Sequence, residues 1–188
     1  MTEIRGNTVL ITGGARGMGR RIALKMARLG GRVVVWDIDP AGLAEVVAEL
    51  QAVEGVAAHG YQCDVADWQS VSDAAAQVKR DVGRVGILIN SAGVVSGRTF
   101  LELSAAQIER TIGVNTLALF WTARVFLPDM VEAGSGHIVT LASAAGLIGV
   151  AGLSDYCASK WAAVGLDESL RVELKQRAPG VRTTIVCP

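Results

Sequence analysis

The turn after the first apolar run limits the possible folds more than any other part of the chain. Thr8-Val9-Leu10-Ile11-Thr12 is continuous, apolar and β-branched, the pattern of a strand covered on both faces. It leads directly into Gly13-Gly14-Ala15-Arg16-Gly17-Met18-Gly19, and a helix-period pattern follows to about Leu29, where Gly30-Gly31 stops it. A strand covered on both faces calls for a sheet with helices on both sides. Glycines at 13, 17 and 19 let the backbone turn tightly and pass close to a pyrophosphate, whose charge the helix N-terminus stabilises. An ordinary tight turn accounts for the same glycines, so the rest of the chain must decide.

The rest repeats the alternation. Residues 32–36 form a second buried strand ending at Asp37. Asp39 and Pro40 open a helix as N-cap and first-turn proline; it runs to Glu54 and stops at Gly55. A third strand at 56–63, a helix at 67–82 ending at Gly83, and a fourth strand at 85–90 follow. Ser104-Ala105-Ala106-Gln107 matches a capping box and starts a long helical region, interrupted at Gly113-Val114-Asn115 and resumed to about Glu132. Residues 136–141 are the fifth strand. Asp155 is expected to cap a helix running to Arg177, Pro179-Gly180 stops it, and 181–187 is the sixth strand. With no linker, repeat or low-complexity segment, the 188 residues read as one α/β domain with a doubly wound parallel sheet. In such sheets ligands bind at the carboxyl ends of the strands.

Composition narrows the function classes. A hydrophobic fraction of 51% against 19% charged residues fits a large buried core. The 18 basic and 18 acidic side chains balance, which argues for neither nucleic acid nor an anionic membrane as partner. No apolar run approaches the ~20 residues of a membrane span, and the first residues lack signal-peptide architecture. Cys63, Cys157 and Cys187 suggest neither a disulfide framework nor a zinc site, and His59 and His137 are isolated, so no metal is expected. The expected compartment is the cytoplasm.

Two further features point to chemistry. Asp37 lies at the end of the second strand, where a carboxylate accepts from ribose hydroxyls and repels a 2′-phosphate; this favours NAD over NADP. Arg16 pulls the other way, since a cation beside the turn attracts a 2′-phosphate. Tyr156 and Lys160 are four residues apart, one helical turn, so both leave the same face. A phenol of pKa about 10 is a poor acid or base at neutral pH. A neighbouring ammonium favours the phenolate and brings the group into working range.

With these pieces placed, the whole chain resembles the short-chain dehydrogenase/reductase family. The motifs that carry the resemblance, in order, are 12–19, Asp64-Val65, Asn90-Ser91-Ala92-Gly93, Asn115, Ser143 and Tyr156-xxx-Lys160. The run Asp155-Tyr156-Cys157-Ala158-Ser159-Lys160 is similar to the branch acting on retinoids and steroids. The resemblance implies a Rossmann fold and a nicotinamide cofactor touched by Gly13, Arg16, Gly17, Met18, Gly19, Asp37, Asp64, Val65, Asn90, Ala92, Gly93, Tyr156 and Lys160. It implies Tyr156 as acid–base group, Lys160 as its activator, Ser143 as clamp on the substrate oxygen, and an Asn115 carbonyl holding a water that links Lys160 to solvent. It also implies a homo-dimer or homo-tetramer through the helices at 115–132 and 155–177. Residue by residue, blander roles exist: packing for Ser143, a helix cap for Asn115, a turn for Asp64.

Two departures stand out. Ser91 replaces the second asparagine usual after the fourth strand, and relatives run on past the proline after the sixth strand with a substrate-covering segment and another strand. The chain is therefore expected to lack that segment. The uncharged run 144–153 favours an apolar secondary alcohol or ketone as substrate. The competing readings are an NADPH-dependent 3-oxoacyl-thioester reductase and a nucleotide-binding sensor or scaffold without chemistry.

Overall fold

The computed structural model describes residues 2–188. Six parallel strands lie in the order β3-β2-β1-β4-β5-β6: β1 Thr8–Thr12, β2 Arg32–Asp37, β3 Ala58–Gln62, β4 Ile87–Asn90, β5 Gly136–Leu141 and β6 Val181–Val186. The order reverses between β1 and β4, which pair from Val9–Ile87 to Thr12–Asn90. This switch point opens a crevice at the carboxyl ends of both strands.

Alternation along the strands divides the core into two layers. Val9 and Ile11 of β1, Val33 and Val35 of β2, and Ile87 and Ile89 of β4 face α1 (Gly17–Arg28) and α2 (Pro40–Gln51), meeting Ala23, Ala27, Leu43, Val46 and Leu50. Leu10, Val34 and Leu88 face the opposite layer: α3 (Trp68–Asp81), α5 (Ala118–Glu132) and α6 (Ser154–Arg177), with Val71, Phe126, Met130 and Leu174. Each such side chain taken from water adds about 1.5–3 kcal/mol, which is why the unbroken apolar runs become central strands.

The helix starts follow the caps. Asp39 accepts from Ala41 N and Gly42 N with Pro40 in the first turn, Asp67 accepts from Gln69 N, and Ser104 and Gln107 close a capping box on α4 (Ala105–Ile112). Between α4 and α5 the interruption at Gly113–Leu117 is a π-helical turn. The helix then passes through Pro128 without ending.

Four boundaries differ from expectation. α2 ends at Gln51, where the ladder tightens as Val53 N turns to Leu50 O ahead of Gly55. β3 is confined to Ala58–Gln62, and β4 starts at Ile87 rather than Val85. Asp155 does not cap α6: Leu153 holds the N-cap position without a side-chain bond, and Asp155 lies inside the first turn. Short 3-10 turns at Phe100–Glu102 and Ala144–Gly146 were not signalled by periodicity. Among the described residues no helix is long and apolar enough to cross a membrane.

Candidate active site

A cleft of about 620 Å³ opens at the switch point. Its floor is the glycine turn, whose backbone is pressed against its surroundings. A Cβ on Gly13 would stand 2.7 Å from Ala92 Cα, and one on Gly19 would stand 2.2 Å from Gly13 O. Gly13 also has φ +64°, a conformation other residues rarely adopt. Arg16 occupies the N-cap of α1 and gives it no side-chain bond, so the first N–H groups of the helix remain free for an anion. Thr12 Oγ1 accepts from Ser91 N and Ala92 N, both at 3.1 Å, and ties the ends of β1 and β4 together beneath the cleft.

Asp37 is buried at the end of β2. Its Oδ2 accepts from Ala15 N at 3.0 Å and its Oδ1 from Asp39 N at 3.1 Å. The carboxylate therefore braces the glycine turn, and its remaining lone pairs still face the cleft that it lines. Arg16 reaches Asp39 at 3.6 Å, an exposed pair that partly neutralises the cation at the glycine turn. Farther along, Asp64, Val65 and Cys63 line the wall. Burial pushes the Cys63 thiol up to about 11, so it stays protonated and unreactive.

The far end of the cleft meets the second group of residues. A Cβ placed on Gly93 would lie 3.5 Å from Asn115 Oδ1 and 3.8 Å from Lys160 Nζ. Lys160 is 5% exposed and donates to Leu141 O at 2.8 Å, leaving two of its three protons free. Burial lowers the pKa of its ammonium, while the neighbouring Cys187 works in the opposite direction. Nζ stands 5.6 Å from the centre of the half-buried Tyr156 ring, on the shared helix face. Ser143 opens the 3-10 turn after β5, and its Oγ accepts from Ala145 N at 3.2 Å. Since that bond uses a lone pair, the hydroxyl proton is free for another acceptor. Asn115, in the π-helical turn, clamps Val94 through both amide atoms, accepting from its N–H and donating to its carbonyl, each at 2.8 Å. Its Nδ2 also reaches Ser159 Oγ at 3.0 Å.

Most of the residues singled out from the sequence thus converge. Gly13, Arg16, Gly17, Met18, Gly19, Asp37, Asp64, Val65, Ala92 and Gly93 all line the cleft. Asn90 does not: it is buried below, where its Oδ1 accepts from Thr122 Oγ1 at 2.9 Å, bracing β4 against α5. Ser143, Tyr156 and Lys160 lie outside the enclosed part of the cleft. Ile38, Ser91, Ala66, Arg110 and Val114 also line it. Arg110 and Val114 come from α4 and its π-helical continuation, and only tertiary packing decides which helix face meets the cleft, so no local spacing marks them. Ile38 and Ala66 follow marked acids by one and two positions and were within reach of the strand-end rule.

The family described as short chain dehydrogenase matches residues 7–188. Short-chain dehydrogenase/reductase family 16C member 6 from Bos taurus is 47% identical over 187 residues, covering 99% of this chain and 59% of its own length. Epidermal retinol dehydrogenase 2 from Homo sapiens is 46% identical, with 99% and 60% covered. The chain thus spans about three-fifths of the length of these relatives. A short chain dehydrogenase/reductase from Burkholderia phymatum, solved in complex with NAD, superposes with a TM-score of 0.96 at 36% identity, over all of this chain and 67% of that one. A metagenomic short-chain oxidoreductase in complex with NADP gives a TM-score of 0.92 at 35% identity, over all of this chain and 84% of that one. The strand order, the glycine turn and the paired Tyr156 and Lys160 agree with these likenesses. The chain belongs to the short-chain dehydrogenase family.

Proposed function

We propose that the chain is the cofactor-binding and catalytic part of an NAD-dependent dehydrogenase or ketone reductase acting on an apolar alcohol or its carbonyl. The observation that carries this reading is the position of Gly93, which lines the cleft and joins it to Lys160 and Asn115. The collapsed glycine turn and free helix N-terminus fit a pyrophosphate, and Asp37 fits the adenosine ribose. A nicotinamide cofactor bound there supplies the hydride acceptor or donor.

The protein's own groups do the rest. In oxidation Tyr156 takes the hydroxyl proton of the substrate, and in reduction it returns one to the carbonyl oxygen. Ser143 directs its unused proton at that oxygen and stabilises charge building there. Lys160, fixed through Leu141 O, turns its remaining N–H groups towards the cofactor ribose and places positive charge beside the phenol.

The relatives named as retinol dehydrogenase, and exposed Leu147, Ile148 and Val150 beside Ser143, support a lipophilic substrate. Asp37, with Arg16 drawn towards Asp39, supports NAD. The proposed compartment is the cytoplasm. The proposed assembly is a dimer or tetramer through α5 and α6, where Phe120, Trp161 and Val172 are exposed. Retinol and 2-decanol assayed with NAD and with NADP test the reading. Tyr156→Phe should bind cofactor and turn over neither alcohol; retained turnover would overturn the role given to the phenol, and a strong NADP preference the cofactor assignment.

A further inference from the structure

α6 starts without a cap of its own, yet its first turn carries Tyr156, whose oxygen must be placed to a fraction of an ångström for proton transfer. The restraint comes from outside the helix. Asp155 Oδ2 accepts from Thr111 Oγ1 of α4 at 2.7 Å, and Thr111 Oγ1 lies 3.2 Å from Ser96 Oγ in the segment after β4. Asp155 is 5% exposed and Thr111 1%. A second set of bonds runs parallel: Asn115 holds Val94 and Ser159 Oγ, and that hydroxyl donates to Tyr156 O at 2.7 Å.

Stability alone does not account for the carboxylate. Asp155 Oδ1 is buried without a hydrogen-bond partner, and an apolar pair of the same shape would be less costly to bury. Burial pushes the Asp155 carboxyl up, but the Ser96 and Thr111 hydroxyls and nearby backbone N–H groups outweigh it and hold it below the usual carboxylate value. The buried group is charged, and it sits at the positive end of α6. A charged acceptor makes the bond from Thr111 short and directional.

We propose that Asp155 is a positioning residue: through Thr111 and Ser96 its buried carboxylate locks the first turn of α6 to α4 and to the segment after β4. The phenol and the cleft wall opposite it then move as one body. Thr111 lines neither the cleft nor the catalytic group, so its effect on turnover is transmitted through Asp155. This inference rests on the acid–base reading of Tyr156.

The test compares Thr111→Val and Asp155→Ala, which remove one end of the bond, with Thr111→Ser and Asp155→Asn, which keep a donor or an acceptor there. In the full-length protein, hydrogen exchange of residues 154–160 is read alongside kcat and KM for retinol and 2-decanol with NAD, and the Kd of NADH. In Thr111→Val and Asp155→Ala, faster exchange confined to that turn and a kcat loss of about 10- to 100-fold, with NADH affinity retained, are expected. Thr111→Ser should keep parental behaviour, Asp155→Asn, which keeps an acceptor but loses the charge, should fall between Asp155→Ala and the parent, and Thr111→Val/Asp155→Ala should be no worse than either single change. Unaltered exchange in Thr111→Val overturns the proposal, as does unaltered kcat while Tyr156→Phe is inactive. Equal losses of kcat, NADH affinity and Tm also overturn it, since they would mark a general structural role. Turnover by Tyr156→Phe would refute the acid–base reading instead, and the exchange measurement, which needs no substrate, would still decide whether the lock exists.

Discussion

The two halves of the sheet solve the problem of holding a site in different ways. On the β1–β2 side the strands are buried almost throughout, and the cleft surface is mainly backbone, a compressed glycine turn and a helix N-terminus, braced from beneath by the Thr12 and Asp37 side chains. On the β5–β6 side burial alternates along the strands, and Leu147, Ile148 and Val150 are exposed beside Ser143. There the geometry depends on side chains far apart in sequence: Asn115 on Val94 and Ser159, Lys160 on Leu141, Thr111 on Asp155. Where backbone makes the surface, an added atom at the contact is the most damaging change. Side-chain sites survive added atoms at the rim but lose function with one lost bond.

Substitutions should separate the halves. The largest effect is expected from Tyr156→Phe, a roughly 10³-fold loss of kcat with cofactor affinity near parental, measured by steady-state kinetics and NADH fluorescence. Next comes Gly19→Val, whose Cβ would collide with Gly13 O. Cofactor affinity should fall about 100-fold and the protein should lose stability, read by titration and thermal melting. If Gly19→Val instead lowers kcat alone, the division into a backbone half and a side-chain half is wrong. Asp37→Ala should weaken NAD binding about tenfold. It should also cost about 2 kcal/mol of stability, since Ala15 N and Asp39 N lose their acceptor; chemical denaturation checks this.

The smallest effect concerns His137, on β5 at the other end of the sheet, which bridges Thr2 Oγ1 and Thr184 Oγ1 at 2.9 and 2.8 Å. Burial, with Arg182 nearby, depresses its pKa. The unfolded chain therefore binds a proton more readily, so the stability this group contributes is full above about pH 6.5 and declines as pH falls towards the folded value. Melting curves between pH 7.5 and 5 should show that decline, and His137→Gln should remove it without touching turnover.

How much was legible follows the same division. β1, β2 and the glycine turn could be read directly because backbone sites leave local marks: unbroken β-branched runs and glycines at fixed offsets. Tyr156 and Lys160 were legible as one helical turn. β3 was bounded less well because an edge strand containing His59, Gly60 and Tyr61 has no apolar run to delimit it. Asp155 was read as a cap since acids before helices usually are; its real partner, Thr111, is 44 positions away and is itself bonded to Ser96, and no local rule reaches either. Asn90 carried a plausible motif, but which way its side chain turns is decided by Thr122 on another helix.

The π-helical turn at Gly113–Leu117 has a consequence for length changes in this chain. Such a turn holds one residue more than an α-turn, and each residue advances a helix by about 100°. Deleting one residue there would let the ladder relax to ordinary α-helix and leave nearly every hydrogen bond intact. It would also rotate all of α4 against α5, turning Arg110 and Val114 from the cleft and Thr111 from Asp155 in a single step. A loss of one codon that conserves secondary structure and composition would therefore be more damaging here than most substitutions, because what the turn stores is phase.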